Sequence, residues 1–356
     1  MIRQRKLLLS ALGVLLIVLL ASFQYSRRIR EYRSEHFLMD TLISIKAYGR
    51  NQEVLKKSVA EAFAEMRRIA ELADGFPQPG TAAYGSSDVC RINAQAGKQP
   101  VMVDNDIMAM LVLAKKYHHV SHGAFDITIG PLMELWGFGG EAPHVPDAHS
   151  IQAARARVGS DKLVLNEHER TAFLTKAGMK LDLGAMAKGY ATEKAIRILE
   201  KNGIEKALID AGGNIRVLGR NVHDASWKIG IKNPRKSDAI AAVLQLEDTS
   251  AVTSGDYYRF FEADGKRYNH ILDPRSGYPA VRTMSATVVT KDAGLADILS
   301  TVFFVLPPEK ALETAGKMSG VEVFLVTADG RILHSSSLKG RIEVLPGDSY
   351  RYDQGR

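Results

Sequence analysis

The densest group of residues able to do chemistry runs from Leu181 to Tyr190, LDLGAMAKGY. Asp182 stands where a strand pattern ends, Gly184 falls in the turn that follows, and a helix pattern then begins with Lys188 in its first turn. Backbone N–H groups at a helix start attract anionic oxygen and a lysine adds charge, so this arrangement suits a phosphate. An ordinary loop with a solvated lysine has the same composition, and the spacing is neither a Walker motif nor a dinucleotide fingerprint. Asp210-Ala211-Gly212-Gly213-Asn214 repeats the theme. Paired glycines let a ligand approach the backbone closely, or make a tight turn after a buried strand. Asp297 and Thr301 are four apart in a helical pattern, which puts a carboxylate and a hydroxyl on one face. Both are oxygen ligands of the kind magnesium takes, although this spacing is common and the ion needs further carbonyl, water or phosphate oxygens.

Asn269 to Pro279, NHILDPRSGYP, is polar and turn-rich, with Pro274, Gly277 and Pro279 restraining its backbone. His270 in it can position phosphate, relay a proton, or simply bond a turn carbonyl. Ser254 to Arg259 lies upstream and supplies hydroxyls, a carboxylate and two tyrosines. His118, His119 and His122 are close together, but no cysteine cluster joins them, which argues against zinc. No Ser/His/Asp triad spacing is visible.

These groups need elements to hold them. Thr41–Tyr48 reads as a strand closed by Gly49, and Leu55, Val59, Ala62, Met66 and Ile69 give one face of a helix. Ile107 to Tyr117 marks another helix, and residues 75–85 and 143–149 read as a loop and a surface insertion. The pattern predicts helices over Lys188–Asn202 and Asp292–Val305, the second stopped by Pro307-Pro308. Strands are predicted at Lys206–Ile209, Trp227–Ile231, Ala241–Leu246, Ser285–Val289 and Val321–Thr327, with Arg331–Ser335 as the last. Helices and strands mix without regular alternation, which is the α+β class with largely antiparallel sheets.

The formal charge of +7 is not spread over the chain. Residues 1–33 hold seven of the 47 basic side chains and one of the 40 acidic ones, so the rest is nearly neutral. The basic excess brackets Leu7–Phe23, an almost wholly apolar run at the lower length limit for crossing a bilayer. A membrane surface is therefore the expected partner, and nucleic acid is not. Ala21-Ser22-Phe23 is a poor cleavage site, so an uncleaved anchor is favoured over a signal peptide. The expected organisation is a membrane segment over 1–33 and one catalytic domain over 34–356. The single cysteine, Cys90, excludes an internal disulfide.

Taken in order along the chain, the segments resemble the FAD:protein FMN transferases, the flavinyltransferases once linked to thiamine synthesis. The pieces are Met39-Asp40-Thr41, Cys90 to Asn93, Gly123 to Pro131, Trp136 to Gly139, Asp182 to Tyr190, Gly212-Gly213-Asn214, Thr253-Ser254-Gly255, His270 to Pro279 and Ala296 to Thr301. The resemblance implies an enzyme that uses Mg2+ to split FAD, releases AMP and leaves FMN on a threonine or serine of an acceptor flavoprotein. It implies acceptors such as membrane redox-pump subunits, and a catalytic domain on the periplasmic side of the cytoplasmic membrane. Asp297, Thr301 and the Ala185 carbonyl fall at metal-ligand positions. Asp182 and Lys188 lie near the reacting phosphates, and His270 and Asp273 at polar active-site positions. Met39, Phe125, Asp126, Gly255 and Tyr257 fall in segments that line the flavin or adenine cleft. Asp182 and His270 are the candidate bases for the attacking hydroxyl. FAD hydrolysis, or flavin binding without catalysis, are the alternatives. Two residues depart from the family pattern: Asp40 replaces a frequent glycine, and Cys90 a usual serine.

Overall fold

The computed structural model describes residues 29–77, 80, 84–138, 142–345 and 350–352. The predicted membrane segment Leu7–Phe23 lies outside them. Among the described residues no helix is long and apolar enough to cross a membrane.

In chain order the elements are β1 (Arg30–Leu38), β2 (Thr41–Gly49), α1 (Gln52–Ala73), α2 (Asp88–Ala94), β3 (Val101–Met102), α3 (Asn105–Val120), α4 (Gly130–Trp136) and α5 (Ala148–Arg155). Then come β4 (Leu163–Asn166), β5 (Thr171–Leu174), α6 (Ala187–Lys201), β6 (Lys206–Ala211), β7 (Asn214–Leu218), β8 (Trp227–Lys232), β9 (Ile240–Leu246) and β10 (Ser250–Gly255). The chain continues through β11 (Phe260–Ala263), β12 (Lys266–Asn269), β13 (Thr283–Thr290), α7 (Ala293–Val305), α8 (Pro308–Gly316), β14 (Glu322–Thr327), β15 (Arg331–His334), β16 (Ile342–Val344) and β17 (Arg351–Tyr352).

Nine strands form one sheet in the order β1-β2-β6-β7-β10-β13-β14-β15-β17. Every neighbouring pair in it is antiparallel except β15 with β17, so the α+β expectation holds. One face packs on α1, α6 and α7 through Ile43, Ile45, Met66, Ile196 and Phe303. The other face is covered in part by the small sheet β16-β9-β8, with Trp227, Leu244 and Phe324 between. Helix α7 is apolar nearly all round because it is enclosed on nearly every side, and Asp297 is its one charged residue. Burying a side chain such as Phe303 or Phe304 stabilises such a core by roughly 2–3 kcal/mol.

The structure departs from the sequence reading at the ends and in the short elements. Strand β1 starts at Arg30, ahead of the 34 boundary, because its alternating charges read as a membrane flank when they are the exposed face of an edge strand. Arg331–Ser335 is not the last strand, since β16 and β17 follow. The expected surface insertion at 143–149 runs into α5, whose first turn is capped when the Ser150 N–H donates to Asp147 Oδ1 at 2.9 Å. Seven- and eight-residue helices are too short for periodicity to reveal.

Candidate active site

A cleft of about 940 Å3 opens where the helix layer meets the ends of β2, β6, β7 and β10. Such a volume is near the top of the usual range for small-molecule sites, ~300–1,000 Å3. Its wall is made by the Met39-Asp40 turn, Asp74 to Phe76, Ala124 to Ile127, the Asp182–Lys188 turn, Gly212, Asn214, Val252 to Gly255, Tyr258, Arg259, His270 to Leu272, Asp297 and Thr301.

The junction of α6 and α7 buries a carboxylate in the wall, Asp297, 6 % exposed. Met186 at the start of α6 gives it no side-chain cap. Asp297 of α7 supplies one from across the interface, accepting the Gly189 N–H on Oδ2 at 2.8 Å. Helix N-termini favour anions, so each group stabilises the other. Gly189 makes this approach possible. A Cβ there would lie 2.3 Å from the Ala293 carbonyl oxygen and 2.5 Å from the Asp297 Cβ. A glycine inside a helix costs about 1 kcal/mol relative to alanine, so its presence in the first turn of α6 was a signal of close packing that the sequence reading passed over. Burial pushes the Asp297 carboxyl above its ordinary value, while the Lys188 ammonium and the Gly189 N–H pull the other way. Among the described residues the Asp297 carboxylate accepts no other hydrogen bond; its backbone carbonyl takes the Ser300 hydroxyl at 2.8 Å. Thr301 stands one turn further along, its Oγ1 3.4 Å from Ser254 Oγ. Ala185 lines the same cleft.

Just ahead of α6, the Asp182 Oδ1 accepts the Gly184 N–H at 2.7 Å and shapes the turn into that helix. Lys188 Nζ reaches back to the Gly184 carbonyl at 3.4 Å. His270 Nδ1 is 3.1 Å from the Arg259 carbonyl. A carbonyl only accepts, so Nδ1 carries the proton and Nε2 keeps its lone pair. Burial, with the cations Arg259 and Lys188 adding to it, holds the His270 imidazole down to about 3, so it is neutral in ordinary buffers.

Asp126 lines the cleft, but its carboxylate is turned to a different task. It accepts from the Thr128 N–H and Oγ1, from the Ser160 N–H and Oγ, and lies 3.2 Å from His118 Nδ1. Those bonds tie the 124–130 loop to Ser160 and α3. Phe125 and Met39 line the cleft as expected. The Met39-Asp40 pair is a two-residue hairpin turn between β1 and β2, with φ of 53° and 59°. Positive φ at both positions is the type I′ pattern that normally selects Asn-Gly.

Three of the expected ligand residues stand off the cleft wall. Tyr257 does not line the cleft. Its neighbour Tyr258 does, and the two rings pack at 4.5 Å. Adjacent residues point in different directions, and sequence alone did not say which faced inward. Asp273 is also absent from the wall: its carboxylate takes both the Nε and Nη2 of Arg275 at 2.8 Å and locks its own turn. Gly213 sits behind Gly212, where a Cβ would meet the Tyr258 hydroxyl at 2.8 Å. Gly212 lines the cleft, and its φ of +64° and tight approach to Thr41 both require glycine. Gly255 lines it too, its missing Cβ leaving room for the Tyr257 ring. Asn214 is named in the Gly212-Gly213-Asn214 piece but has no role of its own there. It lines the cleft, is 2 % exposed, and neither of its amide atoms has a partner among the described residues.

Residues 39–325 match the model of the ApbE family. The chain belongs to that family. The ApbE match starts at Met39 and spans every candidate site residue through Thr301. An FAD:protein FMN transferase of Klebsiella pneumoniae (strain 342) is 36% identical over 318 residues, covering 89% of this chain and 95% of that protein. One of Treponema pallidum (strain Nichols) is 33% identical over 351 residues, 94% of this chain and 95% of the relative. The crystal structure of the ApbE protein from Thermotoga maritima superposes with a TM-score of 0.79 at 32% identity, covering 88% of this chain and 99% of its own. The family match from 39 to 325 therefore takes in every residue of the cleft wall but Leu38.

Proposed function

We propose that this ApbE-family chain is a magnesium-dependent FAD:protein FMN transferase that joins FMN to a threonine or serine hydroxyl of an acceptor flavoprotein and releases AMP. The observation that carries it is Asp297. A carboxylate this buried, with one backbone donor, calls for a cation. Its neighbours can offer oxygen: Thr301 and Ala185 line the same cleft, and the family resemblance puts the Thr301 hydroxyl and the Ala185 carbonyl at ligand positions. Among the described residues no three His, Cys, Asp or Glu side chains converge on a metal position. A cation held here would thus lean on hydroxyl, carbonyl and substrate oxygens, which suits Mg2+ and not zinc. When bound, the ion would supply charge to offset what develops on the departing phosphate.

The chain's own residues do the rest. Lys188, Arg259 and the N-terminal amides of α6 gather the FAD pyrophosphate. Asn214 offers an unsatisfied donor and acceptor to a polar edge of the substrate. Met39, Phe125 and Tyr258 bound the apolar part of the cleft. The acceptor oxygen bonds to the FMN phosphorus as the bond to the AMP oxygen breaks, and AMP leaves with that electron pair. Asp182 takes the hydroxyl proton. His270, neutral and so weakly basic, fits better as a hydrogen-bond acceptor that aligns the hydroxyl. The apolar run Leu7–Phe23 between arginines supports a membrane-anchored enzyme, and resemblance to the family supports an extracytoplasmic body with redox-pump subunits as acceptors.

The test is incubation of the full chain, in detergent, with FAD, Mg2+ and flavin-free domains of redox-pump subunits. Intact-mass analysis should find one FMN added to a threonine or serine, with AMP released in equal amount and none of either under chelator. AMP without an added mass would instead establish hydrolysis.

A further inference from the structure

The second face of the nine-stranded sheet is covered at one end of the β1–β2 hairpin, where Tyr48 packs on Trp227 with ring centroids 5.9 Å apart. At the other end the cover stops. There Phe37 and Leu42 are paired directly across the hairpin and are 74 % and 56 % exposed. Period-two alternation puts both on the face that carries Tyr48. The rest of this edge strand carries Arg30, Glu31, Arg33 and Glu35, charges of the sort that keep a sheet edge from pairing with other chains. Phe37 breaks that pattern only beside the cleft.

The pair is continuous with the cleft mouth. Leu38, Met39, Asp40 and Thr41, which join Phe37 to Leu42, are all cleft wall. Thr41 abuts Gly212, the next residue Gly213 abuts the Tyr258 hydroxyl, and Tyr258 lines the cleft while staying 40 % exposed. We propose that Phe37 and Leu42 form the ledge on which the acceptor protein docks, seating apolar residues next to its target threonine or serine. This rests on the reading that the second substrate is a protein. A protein acceptor must close the mouth over FAD to keep water from the reacting phosphorus, and an apolar anchor at the rim supplies the contact. Lys46, Glu35 and Arg33 give the surrounding face mixed charge, which suits a protein surface better than an anionic lipid one.

The probe is whichever redox-pump domain the full wild-type chain labels. Phe37→Ser combined with Leu42→Ser should raise KM for that domain roughly tenfold, the scale of losing an interface anchor. FAD affinity by fluorescence and Tm should stay at wild-type values, and Phe37→Leu should restore most of the acceptor affinity. Should the double variant fold poorly, Phe37→Ser alone should still raise KM about threefold, the smaller share of the same anchor. An unchanged KM would overturn the proposal, as would a ledge that serves a dimer, seen as wild-type self-association lost in the variant while KM holds. So would loss of vesicle binding with KM intact. If the wild type labels no acceptor at all, the transferase reading itself fails and the ledge has no protein to seat.

Discussion

Asp126 and Asp297 are equally buried, each 6 % exposed, and both line the same cleft. Their surroundings differ. Asp126 is met by four hydrogen bonds from Thr128 and Ser160 and by the His118 ring, and these partners hold its carboxyl below the ordinary range against the opposing pull of burial. Asp297 has one backbone donor, and burial raises it. A saturated carboxylate has spent its bonding capacity on the fold. One left short keeps capacity for something the chain does not contain.

The strongest way to break this contrast is to remove the under-partnered group. Asp297→Ala should cut Mg2+-dependent FMN transfer by about 10²–10³-fold, the scale of losing one charge-stabilising group. The fold should lose little, within ~1 kcal/mol, because an isolated buried charge goes with it. Full transfer at limiting Mg2+ would remove Asp297 from the site. Gly189→Ala tests the same junction from the other helix. Its Cβ would meet Ala293 and Asp297, so α6 and α7 must separate. A loss of ~1–3 kcal/mol from overpacking should show as a lower Tm, together with weaker activation by Mg2+.

Asp126→Asn should do the reverse. An amide cannot accept from all its present donors, and it removes the charge facing His118, so a stability loss of about 3 kcal/mol is expected in chemical denaturation. Transfer per folded molecule should fall much less than for Asp297→Ala. A variant that melts normally but cannot transfer would put Asp126 among the ligand-binding residues after all.

The same pair sets a pH dependence. His118 is raised above its ordinary 6.5, chiefly by Asp126, so its contribution is complete below 6.5 and is lost as pH rises through the raised value. Asp126 is lowered, so its contribution is present above 3.8 and is lost as pH falls through the lowered value. Their mutual stabilisation is greatest between those ordinary values. The Tm difference between wild type and His118→Gln should peak near pH 4 to 6.5 and shrink toward pH 9. A flat difference would mean that the two do not titrate together.

The sequence pointed to residues that share the cleft where residue type and spacing are themselves the chemistry. Asp297 and Thr301 share a helix face, and Asp182, Gly184 and Lys188 make a turn into a helix start. The mixed, largely antiparallel fold and the family were legible for the same reason. It was silent where function depends on which neighbour turns inward. Tyr257 and Tyr258 have the same side chain and only the second lines the cleft, and nothing in the spacing shows that the Asp273 carboxylate pairs with Arg275. Gly189 was hidden because its role lies in the contact with α7, 108 residues away from Asp297. Strand β1 was hidden because its charged face resembled a membrane flank.

The smallest effect is expected at the hairpin turn, where an aspartate holds a conformation that favours glycine. Asp40 holds φ of 59° beside Met39 at 53°. An L-residue pays about 1 kcal/mol or more for that region and glycine does not, although glycine loses more entropy on folding. Asp40→Gly should therefore stabilise by a few tenths of a kcal/mol, up to ~1. It has an electrostatic consequence too. Asp74, on the same cleft wall, is pushed up mainly by burial and further by the carboxylates of Asp40 and Asp182. Removing Asp40 should bring Asp74 down toward 3.8, measurable by NMR titration of its side-chain carboxyl. A lower charge at the mouth should also ease entry of anionic FAD, giving a modest fall in its Kd that disappears at high salt. If Kd is unchanged at low salt, the Asp40 carboxylate is turned away from the path FAD takes, and the strained turn serves only to place Met39.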